Sequence, residues 1–94
     1  MNSDPRDIFE QSKQTIVDLL FTDLDVAFTF LDTALISSNP ETKSRNIGNA
    51  AAAWHTVSDK LNTFEIPPDV RNALLNRLTQ LRNRLGELGA RLSE

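Results

Sequence analysis

Cysteine is absent from these 94 residues, which excludes disulfides, thiolate nucleophiles and zinc–thiolate sites. Tyrosine is absent as well, and tryptophan and histidine occur once each, as Trp54 and His55. A lone imidazole with no nucleophile or second ligand placed to work with it reads as a surface side chain. Phosphate-cradling glycine loops, nucleophile elbows and paired catalytic carboxylates are missing. The residue offsets of tetratricopeptide repeats do not recur. A long uninterrupted apolar run is lacking too. The most apolar window, Ile16 to Ile36, is broken by Asp18, Asp23, Asp25 and Asp32. One acid at mid-membrane costs roughly 2.5–3.5 kcal/mol on insertion scales, so four of them argue against a membrane span. The opening Met-Asn-Ser-Asp-Pro-Arg-Asp has no apolar stretch behind a basic one, unlike a secretory signal. These absences point to a cytoplasmic protein. The formal net charge of −3 gives no bulk attraction to nucleic acid or to an anionic surface.

What is present is ordinary for a small globular domain: 39% apolar and 24% charged residues. The length suits one domain spanning residues 1–94, with a thin stability margin. Four prolines mark the helix starts. Asp4-Pro5-Arg6-Asp7 offers a capping acceptor, proline at the first helical position and an acid in the first turn. Ser38-Asn39-Pro40-Glu41 repeats that logic, and Pro67-Pro68-Asp69 opens a third helix without a good capping side chain ahead of it. The marks predict helices near 5–37, 40–64 and 67–92. Such short connections make neighbouring helices antiparallel, giving an all-α, up-down-up three-helix bundle with coiled-coil-like packing.

The third segment carries Leu74, Leu78, Leu81, Leu85, Leu88 and Leu92 at alternating spacings of four and three, a heptad seam. Gly86 and Gly89 weaken its end. The second segment shows a smaller seam of Ile47, Ala50, Trp54, Val57, Leu61 and Phe64. Its small residues, Ala50 to Ala53, suit a close neighbour or a bulky side chain such as Phe21 or Phe28. Gly48 is unfavourable mid-helix and reads as a site of close approach.

The first segment is the most informative. Asp18-Leu-Leu-Phe-Thr-Asp-Leu24 is followed by Asp25-Val-Ala-Phe-Thr-Phe-Leu31, a repeat of seven. Asp18, Thr22, Asp25, Thr29 and Asp32 form a narrow polar strip, and apolar residues fill most of the remaining circumference. Two neighbours with one stripe each do not cover so much apolar surface, and each large side chain left in water forgoes roughly 1.5–3 kcal/mol. The candidate interface is therefore Leu19, Phe21, Val26, Phe28, Phe30 and Ile36, with a second copy or another helical protein as partner and dimerisation into a larger bundle as the leading expectation.

Two further sets of residues bear on chemistry. Asp18, Asp25 and Asp32 stand about 10 Å apart along the helix, too far to share one metal ion. Arg77, Arg84 and Arg91 are also spaced by seven. They form a candidate face for an anionic partner such as nucleic acid, or they pair with the acids of the first helix. Residues 67–94 hold five arginines against three acids and no aromatic for base stacking, which makes nucleic acid a poor partner. The residues specify no reaction, metal or cofactor. The reading they support is a non-enzymatic interaction or scaffold module that associates with itself through the first helix. The alternatives are a small regulatory protein whose arginine-bearing helix meets an anion, and a bundle that holds an apolar ligand.

Overall fold

The computed structural model describes the backbone of residues 5–90 and the side chains of residues 13–90. It contains α1 (Pro5–Ile36), α2 (Pro40–Thr63) and α3 (Pro68–Glu87). Each helix packs against the other two, α1 and α2 most extensively. The fold is the expected up-down-up three-helix bundle, long and flat at 55 × 27 × 17 Å. Asp4, Arg91 and Leu92 lie outside the described residues.

The prolines start the helices as expected. Asn39 caps α2: its side-chain oxygen accepts from the backbone N–H of Glu41 at 2.9 Å and of Thr42 at 3.3 Å, with Pro40 in the first turn. Two of the unpaired N–H groups of the helix start are thereby satisfied. Pro67 precedes α3 without a side-chain cap. α1 is a single unbroken helix of 32 residues, against 24 in α2 and 20 in α3.

The core is one heptad seam from each helix. Val17, Leu20, Leu24, Ala27 and Leu31 of α1 meet Ala50, Trp54, Val57 and Leu61 of α2 and Leu74, Leu78, Leu81 and Leu85 of α3. Most of these side chains are fully buried, and each such Leu contributes roughly 1.5–3 kcal/mol of burial. Trp54 is buried in this layer, and its indole N–H donates to the Leu78 carbonyl of α3 at 3.0 Å. At the junction of α2 and α3, Arg71 donates to the Leu61 carbonyl at 2.6 Å. A cation thus satisfies one of the unpaired carbonyls at the negative end of α2.

Four details differ from the sequence expectation. α3 stops at Glu87 rather than near residue 92. Gly89 adopts φ +83, its N–H bonds the Gly86 carbonyl, and the Ala90 N–H bonds the Leu85 carbonyl. That pair of bonds is a Schellman motif, which only a residue at ease in the left-handed region ends cleanly. Phe64 is 39% exposed, because α2 ends one residue earlier and the chain there turns extended. Ile66, in the connection, takes the buried place instead. Gly48 has open space around it rather than a close neighbour. Phe28 turns to α3, not to the alanine patch, and its ring centre lies 5.4 Å from the Arg77 guanidinium carbon and 5.5 Å from that of Arg84.

Candidate helix-docking face

α1 carries two seams. The inward one is the core row given above. The outward one is Leu19, Thr22, Val26, Thr29, Thr33 and Ile36, again spaced by three and four, and every member is exposed. At 1.5 Å per residue it is about 26 Å long. Leu19 is 52% exposed, Val26 45% and Ile36 86%. The threonines add apolar surface where their hydroxyls are used internally. The Thr29 hydroxyl donates to the Asp25 carbonyl of its own helix at 3.0 Å, which leaves its methyl group for solvent or a partner.

The six candidate interface residues therefore divide. Leu19, Val26 and Ile36 stand exposed, while Phe21, Phe28 and Phe30 are half-buried and packed against the core. Leu35 (55% exposed) and Leu75 (41%) are exposed apolar residues outside the candidate set. The threonine members were also outside it. The signal that finds them is the three-and-four spacing that links them to Leu19 and Val26, which a count of apolar residues passes over. Beside Leu19, the side chains of Ile16, Leu20, Lys60 and Phe64 line a shallow cleft of about 200 Å³.

One border of the outward seam is acidic, with Asp18, Asp25 and Asp32 exposed along it; the other holds Ile16, Asp23 and Phe30, all half-buried. The Gln14 amide donates to Asp18 at 2.9 Å. Arg77 donates to Asp25, and Arg84 donates to Asp32 at 2.9 Å. The two pairs are spaced by seven on both helices and bracket the Phe28 ring. The pairing of arginines with α1 acids, one of the two roles open to them from sequence, is thus present within one chain. The carboxylates nevertheless remain largely in water, with 68% of the Asp25 side chain and 69% of the Asp32 side chain exposed. Arg91, the third member of that row, lies outside the described residues.

Other site chemistry has little support. Among the described residues, no group of His, Cys, Asp or Glu is arranged to hold a metal ion. No described helix is long and apolar enough to cross a membrane. His55 is half-buried and meets Trp54 edge to face at 5.2 Å. An open cleft of about 330 Å³ lies between Pro40, Ile47 and Leu88. Compared with known protein families, curated proteins and solved structures, the chain matches none of them.

Proposed function

We propose that this chain is a non-enzymatic interaction module that receives a further helix along the outward seam of α1, in a coiled-coil manner. One observation carries the reading: Leu19 and Val26 are half-exposed in a continuous uncharged row at heptad spacing, on a helix whose opposite face already fills the core. A helix needs one seam to join its own bundle, and a second seam is what a partner helix packs against. Self-association and pairing with a different protein are the two forms this takes. The anion-binding alternative is less favoured, because an anion at Arg77 or Arg84 has to displace a carboxylate. The apolar-ligand alternative is less favoured too, because the two clefts described above are at or near the low end of the roughly 300–1,000 Å³ usual for ligand pockets.

Because the chain has no cysteine, a single introduced thiol carries a photo-crosslinker at a known place. Thr22→Cys puts it on the seam and Asn83→Cys on an exposed position of α3. Irradiation of the labelled chain, alone and after addition to an extract of cells that make the protein natively, should give a discrete adduct from position 22 in at least one of the two and none from 83 in either. Equal yields at both positions, or no adduct at either, would overturn the reading.

A further inference from the structure

The borders of the seam say what kind of helix fits it. From Gln14 to Thr42 the chain contains no lysine or arginine. In heptad terms Leu19, Val26 and Thr33 occupy one core position, and Thr22, Thr29 and Ile36 the other. Asp18, Asp25 and Asp32 then fall on one flank, and Asp23 stands between Ile16 and Phe30 on the opposite flank. Flanking positions set partner choice and direction in paired helices. A second copy is poorly served by this arrangement. Packed parallel, Asp18 of one copy faces Asp23 of the other; packed antiparallel, the three-aspartate row faces itself. Like charges at these positions disfavour the pair. The Arg77 and Arg84 guanidiniums do not remove the problem. They approach from the α3 side, over Phe28, and leave more than half of each carboxylate in water. A carboxylate held through one oxygen still accepts at the other. Lys60 is the counterweight at one end, where it lines the cleft beside Leu19.

We infer that the outward seam of α1 takes a helix of a different protein, with small or branched apolar residues along its own seam and lysine or arginine above all on the flank that meets the Asp18, Asp25 and Asp32 row. This rests on the helix-docking reading above and narrows it. The partner's bases would meet Asp18, Asp23, Asp25 and Asp32, and its apolar row would cover Leu19, Val26 and the threonine methyls.

The test uses the full chain and three synthetic 28-residue heptad peptides, about 40 Å of helix. They share Val and Leu core positions and differ only in carrying Lys, Gln or Glu at every flank. A fourth peptide has the Lys composition in scrambled order. Titration at low salt should rank Lys above Gln above Glu. The Lys–Gln gap should be about tenfold, from four modest ion pairs, and should close in 0.5 M salt. Val26→Asp should abolish binding, and Asn83→Asp should leave it intact. Asp18→Asn with Asp23→Asn, which keeps shape and removes charge, should narrow the gap several-fold. Circular dichroism of each variant confirms the helical fold. Equal binding of Lys and Gln peptides overturns the charge inference and leaves the docking face standing. So does a concentration-dependent dimer of the chain that Val26→Asp dissolves. Equal binding of the scrambled peptide, or no binding by any peptide together with a monomeric mass throughout, overturns both.

Discussion

Arg84 donates to the Asp32 carboxylate at 2.9 Å, joining the last helix to the first across 52 residues of chain. The Arg77–Asp25 pair repeats the bond one heptad earlier. Both acids are well solvated and the Nε of Arg77 is buried without a partner, so the ladder sets register more than it adds stability. A double-mutant cycle of Asp32→Ala and Arg84→Ala should give a coupling of about 1 kcal/mol or less. The exchange Asp32→Arg with Arg84→Asp should recover most of it. A coupling well above that range would mean the pair is a main source of stability.

The ring between those pairs should matter more. Phe28 packs against the core and lies near two guanidiniums. Phe28→Ala should cost about 2–4 kcal/mol in chemical denaturation, somewhat less than a fully buried phenylalanine. Phe28→Leu should recover the apolar share but not the cation–ring share. Loss of less than about 1 kcal/mol in the alanine variant would show that the ring is dispensable to the α1–α3 contact.

Trp54 reports on the contact between α2 and α3. Its N–H to the Leu78 carbonyl ties α2 to α3, and as the single tryptophan it gives an unambiguous fluorescence signal for unfolding. Trp54→Phe, followed by circular dichroism, should destabilise by about 1–3 kcal/mol through the lost hydrogen bond and lost volume. An unchanged midpoint would mean that the indole fills space that the core does not need.

Two glycines should respond with opposite signs. Gly48 sits mid-helix with nothing near an added Cβ, so Gly48→Ala should stabilise by about 0.5–1 kcal/mol. Gly89 holds φ +83 at the end of α3, so Gly89→Ala should destabilise by about 1 kcal/mol. Thermal melts of the two variants should move in opposite directions, by about 4–8 °C per kcal/mol for a domain of this size.

The outward seam should be silent in the same assay. Leu19→Gln and Val26→Gln remove half-exposed side chains that no core residue requires, and should change stability by about 0.5 kcal/mol or less. Leu24→Ala, fully buried on the inward seam, should cost about 2–5 kcal/mol. Strong destabilisation by the glutamine variants would assign that face to folding rather than to a partner.

Much of this was legible in the residues. Proline at a helix start has a fixed backbone angle and gives up an N–H that lacks a partner anyway, so Pro5, Pro40 and the Pro67-Pro68 step located three helices. The leucine spacing of α3 gave its buried face, and the shared period of aspartates and arginines gave the α1–α3 pairs as one of two options. The misses have local causes. Whether Phe64 or Ile66 turns inward depends on where α2 unwinds, and no residue pattern near position 63 encodes that. Gly86 and Gly89 look alike in sequence, and only the hydrogen bonds around Leu88 show which one ends the helix. By residue type threonine belongs with aspartate in a polar strip, yet its hydroxyl can be spent within its own helix, as at Thr29. The strip therefore hid a seam.

The two connections of the bundle are not equivalent as places to alter the chain. Ser37, Ser38 and Asn39 contribute no buried side chain, although Asn39 must keep its cap. The second connection is pinned by Ile66. Extra residues spliced in after Ser37 would break only the exposed bonds between the Ser37 hydroxyl and the Asn39 backbone and should cost little, so a reporter or tether belongs there. The same splice beside Ile66 would pull an anchor out of the hydrophobic layer and loosen both helices it joins.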